Sequence, residues 1–239
     1  MADLAFLARV PFTHRGLHGG GIVENSRAAF EAAIAAGHGI ETDVQVSSDG
    51  AAMAFHDYDL DRLTAKSGPV IERTAKKLGK IKLAGTEETI PTLAEMLALI
   101  DGRAPLLIEI KTKGRKLKKL CRSVAEALQD YKGEAAVMSF HPEVGRWFAK
   151  KAPGMVRGLI VSEQGETSLA ERLKGPVQRS LSVMRATPQF LAYDQRDLPS
   201  SFARSLRLEG MPVLTWTVIM GADNSIAAEE ADQIIYEQP

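Results

Sequence analysis

The apolar positions of this chain follow two rhythms in turn. Short apolar runs suited to strands occupy 10–14, 39–46, 51–56, 105–111, 135–140, 155–161, 190–194, 212–218 and 233–237. Between most of them the apolar residues recur every three or four positions, the period of a helix with one buried face. In SRAAFEAAIAAG, Ser26 is placed to cap a helix, Phe30, Ala33 and Ile34 share a face, and Gly37 can end it. In TLAEMLALIDG, Thr92 and Glu95 have capping-box spacing ahead of the stripe Leu93, Met96, Leu97 and Ile100. Leu117, Leu120, Cys121, Val124 and Leu128 repeat the pattern. Strand followed by helix, over and over, predicts a parallel α/β sheet.

Nine strand candidates exceed the eight of a closed barrel by one, and Ser47-Ser48-Asp49-Gly50 accounts for the excess. Asp-Gly readily supplies the positive φ angles of a tight turn, so 51–56 returns antiparallel to 39–46 and is no βα unit of its own. The expected architecture is a (β/α)8 TIM-type barrel with a β-hairpin excursion after strand 2, forming a single domain over 1–239; a doubly wound open sheet is the alternative.

That hairpin carries unexpected chemistry. Glu41 and Asp43 are two apart on one strand and face the same way. A two-residue loop at Ser48-Asp49 would set His56 opposite Glu41, and one at Asp49-Gly50 would set it opposite Asp43. Two like charges on one face call for a neutralising partner. A divalent cation with oxygen ligands, Mg2+ or Ca2+, would serve, with Glu109 in the apolar run LLIEIK as third ligand; solvent-facing acids or lysine ion pairs are the other explanation. His14 and His56, both at strand ends expected at one mouth, are candidates for an acid/base pair. Arg15 could grip a phosphate oxygen or form a surface ion pair, and Lys111, two residues beyond Glu109, shares its face and adds a second positive charge.

Composition narrows the partners. Lys plus Arg and Asp plus Glu number 30 each, so no broad field draws nucleic acid or an acidic membrane. The basic run KTKGRKLKKLCR (111–122) keeps helical leucine spacing, which puts most of its charge on a solvated face; Lys113 and Arg115 lie nearest the strand end and could still help attract an anion. No run approaches the roughly 18 apolar residues of a transmembrane segment. The opening MADLAFLARVPF lacks a basic leader, and the single Cys121 sits at a packing position. A cytoplasmic address is expected.

Taken in order, H-R-G (14–16), E-N-S (24–26) with Phe30, G-I-E-T-D-V (39–44), S-x-D-G (47–50), H-D-x-x-L-x-R-x-T (56–64), E-I-K (109–111), S-F (139–140) and W-T-V (216–218) resemble the glycerophosphodiester phosphodiesterase family. The resemblance implies a (β/α)8 barrel that hydrolyses glycerophosphodiesters to glycerol 3-phosphate and an alcohol with the aid of a divalent metal. It implies Glu41, Asp43 and Glu109 as metal ligands, His14 and His56 as the acid/base pair, Arg15 and Lys111 on the phosphate, and Trp216 in the substrate wall. It leaves open which histidine is base, and whether the nucleophile is the glycerol hydroxyl or water.

Two departures lie near the end. Ile219 follows W-T-V where the family often has Asn, and Ile235-Tyr236-Glu237-Gln238-Pro239 replaces an ending like I-T-D-x-P. They motivate a rival reading, a catalytically weakened barrel that binds a phosphorylated ligand as a regulator. A barrel enzyme abstracting a proton from a non-phosphate substrate is a third. Head group, physiological metal and oligomeric state are not specified by these residues.

Overall fold

Eight parallel strands close on themselves in the computed structural model, which describes residues 3–114, 116–164 and 169–239. The strands are β1 (Phe12–Thr13), β2 (Gly39–Val46), β3 (Ala52–Ala54), β4 (Leu106–Ile110), β5 (Ala135–Ser139), β6 (Val156–Val161), β7 (Phe190–Asp194), β8 (Val213–Ile219) and β9 (Gln233–Glu237). Parallel pairing runs from β2 through β4 to β9, and β1 closes the ring by pairing with both β9 and β2. Only β3 is antiparallel, as an excursion from β2. The expected barrel with its hairpin is therefore the observed fold.

Local signals act as their chemistry requires. Ser26 Oγ accepts from Ala29 N–H at 3.1 Å and starts the helix Arg27–Ala35. Thr92 and Glu95 form a complete capping box on Leu93–Ile100, and all four predicted stripe residues there are buried. On Leu117–Leu128, Leu120, Cys121, Val124 and Leu128 turn inward, and burial pushes the Cys121 thiol up to about 12, so it packs as a small apolar group.

Alternation along the strands sends side chains either outward under the helices or inward to the barrel. Ile40, Val44, Ile108 and Ile110 pack outward with helix residues such as Phe30, Met96 and Leu120. Phe12, Leu107, Ala136, Met138, Ile160, Phe190, Leu214 and Ile235 form a separate cluster that fills the barrel interior. Leu4, Phe6 and Leu7 join this second cluster, which gives the apolar opening of the chain a structural purpose as part of the interior packing. On β4 the interior residue Leu107 is followed two positions later by Glu109, the next inward side chain towards the strand's C-terminal end.

The hairpin corrects one expectation. Val44 pairs with Ala54, Gln45 with Met53 and Val46 with Ala52, a register midway between the two anticipated. Ser47 N–H donates to Ala51 C=O at 3.0 Å, so the loop is the three residues Ser48, Asp49 and Gly50, with Gly50 at φ +99°. A three-residue loop ending on a left-handed glycine is a stable alternative to the two-residue turn. The ladder then stops before His56, which is not paired across the hairpin with either acid; its Nδ1 meets Asp57 Oδ1 instead, at 2.5 Å.

Candidate active site

Every site residue expected from the sequence, apart from Asp43, lines one cavity of about 260 Å3: His14, Arg15, Glu41, His56, Glu109, Lys111 and Trp216. Asp43 is completely buried, against the cavity residues Lys111 and Arg15. One side of the cavity is ionisable, from β1 to β4, and the other is apolar, built by Met138, Phe140, Ile160, Trp216 and Ile235. Trp216 is fixed by its indole N–H, which donates to Ala192 C=O at 3.0 Å, and by an edge-on contact with Phe140.

The acids converge because β2 and β4 are in register: Asp43 is the direct neighbour of Glu109, and Glu41 that of Leu107. One oxygen from each of Glu41, Asp43 and Glu109 falls within 4.8 Å of the others, and the residues are only 1%, 0% and 8% exposed. Glu41 Oε2 accepts from the Arg15 backbone N–H at 3.0 Å, while the buried Glu41 Oε1 has no hydrogen-bond partner among the described residues. Burial, then the charges of Asp43 and Glu109, hold Glu41 well above the usual carboxylate range. Burial pushes Glu109 up to about 7, with Asp43 adding to it and Lys111 opposing. Burial also acts on Asp43, but there Lys111, His56, Arg15 and His14 outweigh it and hold the group at about 2. An oxygen-only donor set, tightly grouped, in which Glu41 Oε1 and Asp43 Oδ1 both lack a hydrogen bond, fits a hard divalent cation.

Lys111 and Arg15 answer both sequence explanations. Lys111 Nζ stands 2.9 Å from Glu109 Oε1 and 3.2 Å from Asp43 Oδ1, and Arg15 Nη1 donates to Glu24 Oε1 at 2.9 Å with its Nε 3.4 Å from Asp43 Oδ2. Both cations are thus paired with acids and at the same time face the cavity. The turn that delivers Arg15 needs Gly16: its φ is +77°, and a Cβ there would lie 2.8 Å from the Ala29 Cβ and 2.9 Å from the Ala29 carbonyl carbon. Asn25, itself at φ +55°, does not cap the helix; its amide nitrogen donates to Asp43 Oδ2 at 3.1 Å and its oxygen accepts from Thr42 Oγ1 at 2.7 Å.

His14 Nδ1 lies 2.6 Å from Glu237 Oε1, and its Nε2 lies 3.9 Å from Glu41 Oε2 on the cavity side. His56 is backed by Asp57, which Arg62 grips at 2.6 and 3.0 Å; Arg62 also holds both oxygens of Glu24 at 2.7 and 2.8 Å. Burial lowers the His56 pKa, against the pull of Asp43. Glu237, Asp57, Glu24 and Arg62 were not singled out by the sequence. Asp57 and Arg62 stood inside the H-D-x-x-L-x-R motif and Glu24 inside E-N-S, so those motifs offered a signal; for Glu237 the altered C-terminal ending was the only one.

Other polar residues serve the frame. His141 Nδ1 caps its helix by accepting from Glu143 N–H at 3.3 Å, and His38 bonds the Tyr236 hydroxyl at 2.6 Å. Lys113 sits 4.2 Å over the Tyr58 ring, Lys116 Nζ donates to Ser48 C=O at 2.8 Å, and Lys118, Lys119 and Arg122 are exposed. Arg115 lies outside the described residues. Among the described residues no helix is long and apolar enough to cross a membrane.

Known proteins resemble this chain in sequence and in fold. Proteins named glycerophosphodiester phosphodiesterase from Bacillus altitudinis and Caldanaerobacter subterraneus are 36% identical over 141 residues and 35% identical over 159. These segments cover 54% and 62% of this chain and 57% and 64% of the relatives, so the chain spans about three fifths of their length. An Oleispira antarctica phosphodiesterase solved with its product sn-glycerol-3-phosphate shares the fold, with TM-score 0.78 and 23% identity over 95% of this chain and 93% of that one. A glycerophosphodiester phosphodiesterase from Thermotoga maritima matches with TM-score 0.72 and 26% identity, over 95% and 94% of the two chains. The family model described as the glycerophosphoryl diester phosphodiesterase family matches residues 14–231, from the first cavity histidine to the threshold of β9, and the chain belongs to that family.

Proposed function

We propose that this protein hydrolyses glycerophosphodiesters to glycerol 3-phosphate and an alcohol, with Glu41, Asp43 and Glu109 holding Mg2+ or Ca2+ and His14 and His56 acting as acid and base. The observation that carries this reading is the meeting of two imidazoles, three buried acids and two cations around one cavity. The product seen in the Oleispira antarctica relative is of the same class.

A phosphodiester resists attack because its own anion repels nucleophiles. When bound, the cation supplies positive charge against that anion and against the charge that grows on its oxygens. Arg15 and Lys111 add fixed positive charge at the cavity wall and orient the phosphate. One imidazole takes the proton of the attacking hydroxyl and the other protonates the departing alkoxide, a contribution of roughly 10²–10⁴-fold. Attack by water gives glycerol 3-phosphate directly, whereas attack by the substrate's glycerol hydroxyl gives a cyclic phosphate that water then opens. The apolar side with Trp216 and Phe140 keeps bulk water from the carbon-bearing part of the substrate. The rival regulator reading draws on the altered ending, but Glu237 keeps an acid there in contact with His14.

The test is release of glycerol 3-phosphate from glycerophosphocholine by protein stripped with chelator and then given Mg2+ or Ca2+. Turnover only after metal return is expected. No release across choline, ethanolamine and glycerol head groups, with phosphate still bound, would favour the regulator. Calorimetry of Glu41→Gln and Asp43→Asn should show metal bound at least about tenfold more weakly; unchanged affinity removes them as ligands. A cytoplasmic address accords with a single, buried, free cysteine, and cell fractionation tests it.

A further inference from the structure

The last strand delivers an acid to the first. Thr13 on β1 is in register with Tyr236 on β9, and His14 N–H donates to Tyr236 C=O at 2.8 Å, so His14 and Glu237 follow at the next level of the ladder. Tyr236 faces outward, packed with Val218 and Ala227. By strand alternation Glu237 faces the mouth, where its Oε1 lies 2.6 Å from His14 Nδ1.

A carboxylate can only accept, so the short contact requires the proton on Nδ1. In the neutral ring Nε2 then carries the lone pair. That nitrogen lies 3.9 Å from Glu41 Oε2, beyond hydrogen-bond reach, and looks into the cavity. His18 Nε2 is 3.7 Å from the same Glu237 oxygen, also too far for a hydrogen bond, so the acid's close partner is His14. Hydrogen bonding to His14, with His18 beside it, holds Glu237 below the usual carboxylate range and keeps it in the accepting form.

We infer that Glu237 is the positioning residue of His14, fixing both the ring's orientation and its tautomer so that Nε2 is presented to the reacting atoms. The inference rests on the reading of His14 as an acid/base group. It makes closure of the barrel between β9 and β1 part of the catalytic apparatus, because that pairing sets the distance between acid and imidazole.

Two variants and two measurements test it. In ¹⁵N-histidine spectra of the resting parent protein, His14, assigned by its loss in His14→Gln, should be the Nδ1-protonated tautomer; in Glu237→Ala it should shift towards the Nε2-protonated form. Glu237→Ala should lower kcat by about 10- to 100-fold with KM changed less than about threefold, while Glu237→Gln, which keeps an acceptor of the same shape, should recover most of the loss. An unchanged tautomer in Glu237→Ala, a kcat within twofold of the parent, or a loss confined to KM would overturn the inference. Should Glu237→Ala fail to fold, Glu237→Gln and the parent spectrum carry the test: an Nε2-protonated His14 in the parent refutes it. The spectra need no turnover, so a parent inactive on glycerophosphodiesters would sink the proposed function and leave the tautomer result to judge the positioning role.

Discussion

The His14 and His56 arms of the cavity use the same contact, Nδ1 to a carboxylate at 2.6 and 2.5 Å, yet reach it over very different lengths of chain. His56 meets its immediate neighbour Asp57, whereas His14 meets Glu237 from a separation of 223 residues. Behind Asp57 runs a chain of ion pairs through Arg62 to Glu24 and on to Arg15. Behind Glu237 there is no such cation among the described contacts, only His18 and the β9 backbone. One imidazole is therefore aimed by a side-chain network and the other by the closure of the sheet. The network can be weakened in steps, through residues that touch neither imidazole; the closure offers a single side chain to remove.

The largest effect should come from removing the imidazoles themselves. His14→Ala and His56→Ala should each lower kcat by about 10²–10⁴-fold while leaving the far-ultraviolet circular dichroism spectrum unchanged, since both rings line a cavity and neither belongs to the buried apolar clusters. A near-parent rate in one variant would take that arm out of the chemistry and end the symmetry between them.

The two arms also differ in how far they could be read from the sequence. Glu41 and Asp43 were legible because a strand's period of two puts them on one face, and Glu109 because an acid interrupts an apolar strand. The barrel itself was legible because strand and helix periods alternate and the hairpin's turn residues announce themselves. What failed was loop length: Asp49-Gly50 suits several turns, and nothing in the side-chain pattern says that Gly50 closes a three-residue loop, so the partner assigned to His56 was wrong. Glu237 was read as a departure from a motif, because its partner is chosen by the pairing of β9 with β1, and pairing between chain ends leaves no periodic trace. Arg15 and Lys111 were read as phosphate ligands, and their carboxylate partners could be named only once the strands stood in register.

A smaller effect should separate the network from the closure. Arg62 touches neither histidine but grips Asp57 and Glu24 together. Arg62→Ala should lower kcat by about tenfold with KM nearly unchanged, and the ¹⁵N signal of His56 should move while that of His14 stays in place. Movement of both signals would show that the two arms are one network.

The smallest effect lies in stability against acid. Both supporting carboxylates are held below the usual range, Glu237 by its hydrogen bond to His14 first, Asp57 by Arg62 and then His56 against the effect of burial. A depressed acid stabilises the folded state at pH values above its unfolded pKa, about 4 for Asp and Glu, and that contribution is lost as pH falls through the folded value. Glu237→Gln and Asp57→Asn should therefore each be less stable than the parent by about 1 kcal/mol near pH 6, with the difference shrinking towards pH 3. Urea unfolding at the two pH values measures this. The arms should part in salt: Asp57→Asn also strands Arg62 on Glu24 alone, so its deficit should narrow more with added sodium chloride, since much of it is screened charge pairing at a half-exposed guanidinium. Equal salt dependence in the two variants would mean that Glu237, too, is held by charge more than by the register of the closing strands.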